Sequence, residues 1–91
     1  RDMVRVFTGT IPDYAAEEDG LLLGGVIEGG PAEGAGLRRG DVIIEFAGVM
    51  ITNIYDYTAA LAAIKVDVPV AVVYMRDGQR IETELIPRAR Q

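Results

Sequence analysis

The sequence predicts one small α+β domain, a partly open β-barrel of five to six short strands with one long helix and one short helical turn. Three observations lead to this class. Short apolar segments are separated by glycines, prolines and acidic turns, as in a sheet of short strands. Residues 54–64 are the only long segment with helical spacing behind a capping residue. Asp77–Gly78 joins two alternating segments as a tight hairpin does.

Two strands and one short extended piece are expected in the first part of the chain. Residues 3–7 have an alternating pattern, and residues 10–14 form a second extended piece that contains Pro12. This piece is placed at a sheet edge because proline cannot donate a hydrogen bond to a ladder. Residues 21–29 form the second strand, and their Gly24–Gly25 pair indicates a bulge or a close approach.

Residues 29–48 (GGPAEGAGLRRGDVIIEFAG) contain the densest backbone signals. Gly30 and Gly36 frame a short helical turn that Pro31 begins, since proline is favoured just inside a helix start and glycine just past its end. We therefore expect Gly36 to adopt a left-handed conformation. Asp41 lies between a turn and an apolar strand, which predicts a side chain that hydrogen-bonds local backbone rather than an acid catalyst.

The long helix follows a short strand at residues 49–51. It is predicted over residues 54–64, with Thr52 or Asn53 as its cap, and it should end near Lys65. Helical spacing turns the side chains of Tyr57 and Ile64 toward the core.

Three further strands complete the sheet. Residues 42–46 are a buried strand, and residues 70–75 and 80–85 form the hairpin around Asp77–Gly78. Pro87 is expected to end the pairing.

Length and composition indicate one domain over residues 1–91. Because the sequence begins with Arg1 rather than methionine, we expect this domain to be cut from a longer protein. The chain is 49% hydrophobic and 25% charged, which suits one modest core. No apolar run approaches the roughly 18 residues of a membrane span, so direct membrane insertion is not expected. A net charge of −5 opposes nucleic-acid binding, which requires clustered lysine and arginine.

The residue types needed for most enzyme chemistry are missing from the sequence. It contains no histidine, cysteine or serine, so the common nucleophiles, the histidine base and thiolate or imidazole metal ligands are all absent. A carboxylate pair remains possible, but it requires a pocket that separates two pKa values, and most acidic residues here fall in loops or beside turns. We expect no catalytic residues, no metal and no cofactor in this fragment.

The stretch 29–48 resembles the PDZ domains of bacterial proteins, which share the pattern Pro-Ala-x-x-Ala-Gly-Leu-x-x-Gly-Asp-x-Ile and a closing glycine. The matching residues are Pro31, Ala32, Ala35, Gly36, Leu37, Gly40, Asp41, Ile43 and Gly48. The resemblance implies a PDZ-like barrel in the circularly permuted strand order. The segments GTIPDYA and NIYDYTAAL are more similar to PDZ domains fused to zinc-dependent aminopeptidases than to those of HtrA-type proteases, which are the next nearest.

This resemblance also implies a binding site. In the family, a loop of the form aromatic-apolar-Gly-apolar holds a peptide's terminal carboxylate, and the peptide adds as a strand between the next edge strand and the long helix. Here the loop corresponds to residues 7–10, in which threonines replace the usual apolar residues. The implied peptide-binding residues are Phe7, Thr8, Gly9, Thr10, Ile11, Ile54, Thr58, Leu61 and Ala62.

Three functions are compatible with the sequence. The first is a peptide-binding module of a peptidase or protease, with peptide or protein C-termini as partners. The second is an intramolecular scaffold or regulatory lid, with the parent peptidase domain as partner and no free ligand. The third is an enzyme that uses carboxylates, which the missing residue types disfavour. The resemblance implies a periplasmic, cell-envelope or secreted location, and the fragment is expected to be monomeric.

Overall fold

As far as residue 87, the secondary structure follows the predicted order of elements. The structure, a computed structural model, describes residues 6–14 and 19–90. The strands of this part are β1 (Val6–Phe7), β2 (Thr10–Pro12), β3 (Leu21–Val26), β4 (Val42–Phe46), β5 (Val49–Met50), β6 (Val70–Arg76), β7 (Gln79–Leu85) and β8 (Arg88–Ala89). The helices are α1 (Pro31–Gly34) and α2 (Ile54–Leu61). Of the strand predicted at residues 3–7, the first three residues lie outside the described part.

Most of the strands join one open antiparallel sheet. Its order is β2-β3-β4-β6-β7, with β5 also paired to β4, while β1 and β8 pair separately. Together with the two helices, this arrangement confirms the predicted α+β class and partly open barrel. Strand β2 lies at the sheet edge, as Pro12 predicts, and within residues 6–14 and 19–90 it pairs only with β3.

The core is built from apolar side chains of the sheet and of both helices. Phe46 of β4 is fully buried, and its ring meets that of Tyr57 of α2 edge-on, with the ring centroids 5.0 Å apart. Aromatic pairs in this geometry contribute about 0.5–1.5 kcal/mol beyond their area burial. Tyr57 and Ile64 are both buried, which confirms the predicted inward face of this segment. Helix α2 is thereby fixed in position against the sheet.

The first helical turn ends as its glycines predict. Gly30 is the N-cap of α1, and Pro31 occupies the first turn. Gly36 has a φ of +90°, and its N–H donates to the carbonyl of Glu33 at 2.9 Å. A left-handed residue at this point turns the chain out of the helix toward β4.

Two other local signals are also confirmed. The side chain of Asn53 accepts a hydrogen bond from the N–H of Asp56, so Asn53 rather than Thr52 caps α2. The Thr52 hydroxyl donates to the Asp56 carboxylate instead, and this bond is the main cause of an Asp56 pKa below its ordinary value. Asp77 and Gly78 both have positive φ, as the two-residue turn between β6 and β7 requires.

Helix α2 is shorter than the segment 54–64 that the sequence predicts. It ends at Leu61 rather than near Lys65. The N–H groups of Ala62 and Ala63 each donate to the carbonyl three residues earlier, so the last turn tightens into the 3₁₀ form common at helix ends. The chain then leaves the helix while Ile64 still reaches the core.

The segment after Pro87 makes a pairing that the sequence did not predict. Pro87 does end β7, but β8 then pairs antiparallel with β1, with Phe7 opposite Arg88. Two-residue strands carry no periodic pattern, so this pairing left no signal in the sequence. It brings the arginine-rich end of the chain beside residues 7–10.

Asp41 makes more contacts than the predicted local one. Its carboxylate accepts a hydrogen bond from the Arg38 N–H at 2.8 Å, which confirms the turn role. It also pairs with the Arg76 guanidinium through two hydrogen bonds of 2.8 Å, and the hydrogen bond to Asp41 raises the pKa of Arg76. Arg76 donates in addition to the carbonyl of Gly36. Arg76 therefore ties the turn before β4 and the end of α1 to the end of β6.

Candidate functional site

A groove of about 260 Å³ lies between the loop after β1, the free edge of β2 and helix α2. Seven of the nine residues that the sequence predicted line it: Phe7, Thr8, Gly9, Thr10, Ile54, Thr58 and Leu61. The other two lie apart from the lining. Ile11 is exposed on the opposite face of β2, because side chains alternate along a strand, and Ala62 is exposed just beyond the end of α2.

The backbone of the loop at residues 7–10, called the binding loop below, is held by two other elements. The Thr8 carbonyl accepts from the N–H of Ala32 in α1, and the Gly9 carbonyl accepts from the N–H of Ile27 after β3, each at 2.8 Å. In a trans peptide the following N–H points opposite to the carbonyl. The N–H group of Gly9 is therefore directed away from α1 and that of Thr10 away from the residue after β3, and both residues line the groove.

Gly9 is required by this arrangement for two reasons. Its φ is +77°, a region that residues with a β-carbon rarely adopt. A β-carbon added there would lie 3.3 Å from the Cα of Gly30 and 3.3 Å from Cδ of Pro31, which is tighter than an ordinary contact. The binding loop consequently packs directly on the start of α1.

The free edge of β2 offers an incomplete set of hydrogen-bonding groups. Ile11 is opposite Gly25 and Pro12 is opposite Leu23, so Gly24 is an extra residue, which confirms the predicted bulge. The register places the N–H and carbonyl of Thr10 on the side away from β3. Position 12 faces the same side, but proline has no N–H to offer there.

Three hydroxyl groups, called the hydroxyl cluster below, meet in the groove. The Tyr57 hydroxyl lies 2.8 Å from Thr10 Oγ1 and 3.1 Å from Thr8 Oγ1, and the two threonine oxygens are 3.0 Å apart. Thr8 and Tyr57 are buried. Burial raises the pKa of Tyr57, although its hydrogen bonds with Thr10 and Thr8 act in the opposite direction. The phenol is therefore neutral across the physiological range.

Two arginines place positive charge beside the binding loop. The guanidinium carbons of Arg88 and Arg90 each lie 5.8 Å from the centroid of the Phe7 ring, within cation–π range. Arg90 also lines the groove. This end of the groove is therefore cationic in a chain whose net charge is −5.

The lining also contains residues that the sequence analysis did not select. They are Val6, Pro12, Tyr14, Ile27, Tyr57 and Arg90. For Tyr57 there was a signal, because threonines at two normally apolar loop positions need a polar partner once buried. For Arg90 there was none, since its position depends on the pairing of β8 with β1.

Among the described residues that line the groove, none is a carboxylate. Within residues 6–14 and 19–90, no three histidine, cysteine, aspartate or glutamate side chains cluster in a way that could hold a metal ion. No helix in the part of the chain that the structure describes has the length and apolar character to cross a membrane.

Known proteases contain domains similar to this chain. A "Probable periplasmic serine endoprotease DegP-like" of Rickettsia conorii is 36% identical over 63 residues, which is 69% of this chain and 12% of that protein. The "Metalloprotease MmpA" of Caulobacter vibrioides is 27% identical over 93% of this chain and 21% of its own length. The chain thus spans only a small part of these relatives.

Solved structures give the same picture at the level of the fold. The HtrA-type protease AlgW, solved with a decapeptide, matches with a TM-score of 0.87 and 21% identity over 97% of this chain and 30% of that one. An aminopeptidase N family protein from Idiomarina loihiensis matches with a TM-score of 0.84 and 24% identity over 97% of this chain and 14% of that one. The similar structures therefore include both types named in the sequence analysis, an HtrA-type protease and an aminopeptidase.

The family itself is shown by a direct match. The model of the PDZ domain matches residues 22–74, which is more than half of the chain. PDZ domains are non-catalytic modules that generally bind peptides, so the match confirms the expectation that this fragment is not itself an enzyme. The chain belongs to the PDZ domain family.

Proposed function

We propose that this domain captures C-terminal or extended peptide segments by strand addition between β2 and α2. The observation that carries the proposal is the pair of N–H groups of Gly9 and Thr10, which point away from α1 and β3 beside the edge strand β2. Adjacent outward N–H groups suit a carboxylate, and the edge of β2 suits the backbone of the residues that precede it. Arg90 adds a positive charge at the same end.

Binding is expected to be weak and to depend on the last one or two peptide residues. A peptide strand beside β2 would pair with Thr10, but at Pro12 one peptide carbonyl would lack a donor. The lost hydrogen bond corresponds to about a threefold to tenfold loss of affinity. The same feature favours the alternative, in which the groove is filled by the parent protein and holds no free ligand.

We infer that the parent protein is a peptidase or protease of the bacterial cell envelope. The inference is supported by two relatives, a DegP-like serine endoprotease and a metalloprotease. The name of the DegP-like relative describes it as periplasmic. In such a protein the chemistry lies in another domain, and this one binds substrate or regulates access.

The proposal is tested by titrating the ¹⁵N-labelled domain with pairs of short peptides that differ only in a free or an amidated C-terminus. For the free acids we expect amide shifts in the binding loop and in α2 around Thr58 and Leu61 that saturate at high peptide concentration. The amidated partners should bind at least about tenfold more weakly, because the carboxylate supplies charge-assisted hydrogen bonds. Equal binding of the two forms, or shifts confined to other surfaces, would contradict the proposal.

A further inference from the structure

We propose that the hydroxyl cluster of Thr8, Thr10 and Tyr57 makes this groove selective for peptides whose last residue is small and carries a hydroxyl, serine or threonine, over those ending in a large apolar residue. The inference rests on the proposed function and specifies its ligand. It starts from the three oxygen–oxygen distances of 2.8, 3.0 and 3.1 Å, which close a triangle.

Every hydroxyl proton of the cluster is used as a hydrogen-bond donor within the triangle. A hydroxyl has one donor and two acceptor positions, so three hydroxyls in a closed ring use all three donors and one acceptor position on each oxygen. One lone pair remains on each oxygen. Among the described residues, every buried side-chain nitrogen or oxygen atom has a hydrogen-bond partner, so the cluster is stable without a ligand. What it offers to a ligand is acceptor capacity.

The cluster also occupies the place where a terminal side chain would enter. Thr8 and Thr10 belong to the same loop as the outward N–H groups, and Tyr57 reaches that loop from α2. All three line the groove, with Ile54 and Leu61 as apolar neighbours. A peptide whose carboxylate meets Gly9 and Thr10 therefore directs its last side chain at the three oxygens.

The chemistry of this surface separates terminal residues. A serine or threonine hydroxyl can donate to one of the remaining lone pairs while its carbon atoms contact the apolar neighbours. A large apolar side chain would instead displace water from these lone pairs and provide no donor, which costs free energy. Threonine and valine have nearly the same shape, so they isolate the hydrogen bond, and we expect threonine to bind about threefold to tenfold more tightly.

The test compares peptides that are identical except for a final threonine, serine, valine or leucine, titrated against the intact domain. The variant Thr8→Val/Thr10→Val/Tyr57→Phe removes all three hydroxyls together and leaves none without its partner, so the fold should be retained. In this variant the threonine preference should disappear or reverse, since a buried peptide hydroxyl would have no acceptor. The single variant Tyr57→Phe, which opens the ring, should reduce the preference. Tyr55→Phe, on the exposed face of α2, is the matched control and should leave it unchanged.

The outcomes distinguish this inference from the function on which it rests. Tighter binding of the valine or leucine peptide by the wild type would overturn the selectivity and leave peptide capture intact. A threonine preference that survives the triple variant would also overturn it, because the hydroxyl cluster would not be its cause. If none of the peptides binds, the proposed function fails and this inference fails with it.

Discussion

Replacing Gly9 by alanine should damage both the stability and the binding loop of this domain, and Gly36 provides the comparison that shows why. Both glycines have positive φ, +77° and +90° respectively. Alanine in that region costs about 1–2 kcal/mol. At Gly36 this backbone cost accounts for the whole expected loss of stability, because no atom lies within 4 Å of the added β-carbon.

At Gly9 the β-carbon adds a steric effect. It would lie 3.3 Å from backbone at Gly30 and 3.3 Å from the ring of Pro31, so the loop must move away from α1. Forcing one extra carbon into a packed site typically costs about 1–3 kcal/mol. We therefore expect Gly9→Ala to destabilise the domain by about 2–5 kcal/mol and Gly36→Ala by about 1–2 kcal/mol.

Urea unfolding measures the difference. A domain of this size has an m-value of about 1 kcal/mol per M, so the Gly36→Ala midpoint should fall by about 1–2 M and the Gly9→Ala midpoint by clearly more. Peptide titration of the folded variants should show weaker binding for Gly9→Ala only, since Gly36 does not line the groove. Equal midpoints for the two variants would refute the close approach of Gly9 to α1 and with it the position of the outward N–H groups.

Four further predictions address single contacts. Pro12→Val restores a donor on the free edge of β2 and should strengthen binding of peptides longer than two residues about threefold to tenfold by calorimetry, without affecting a dipeptide. Arg90→Gln should weaken binding of free-acid peptides by up to about fivefold at low salt, and the effect should shrink at high salt; an effect that does not depend on salt would contradict a role for charge. Asp41→Asn should lower the melting temperature, because it weakens the hydrogen bonds of the buried Asp41 carboxylate to Arg76 and Arg38; an unchanged melting temperature would show that these bonds add nothing. Burial raises the pKa of Tyr57 above its ordinary value of 10.0. The stability that this shift contributes is therefore complete below pH 10.0 and is lost as the pH rises above that value. Urea midpoints should fall less steeply with alkaline pH in Tyr57→Phe than in the wild type.

Features that a few neighbouring residues determine could be predicted from the sequence. Gly36 and the Asp77–Gly78 turn need backbone angles that few residues adopt, and Asn53 caps a helix through an N–H three residues away. The same local logic placed Pro12 at a sheet edge and Gly24 in a bulge. Each of these signals is contained within one turn or one strand.

The features that escaped prediction depend on contacts between distant segments. Arg76 and Asp41 are 35 positions apart, and neither has a neighbour that indicates the pair. The inward face of α2 predicted the direction of the Tyr57 side chain, but the partners of its hydroxyl depend on how the binding loop packs on the helix. Arg90 reaches the groove only because β8 pairs with β1.

The pairing of β1 with β8 also has a mechanical consequence. The two strands are antiparallel, with Val6 opposite Ala89 and Phe7 opposite Arg88, so the first residue of β1 and the last residue of β8 are neighbours. A force that separates these two residues would load the pairs one after the other rather than together. Opening the second pair frees Phe7, the first residue of the binding loop, while the six-stranded sheet is still intact. A force that pulls Val6 and Ala89 apart would therefore act on the groove before it acts on the six-stranded sheet.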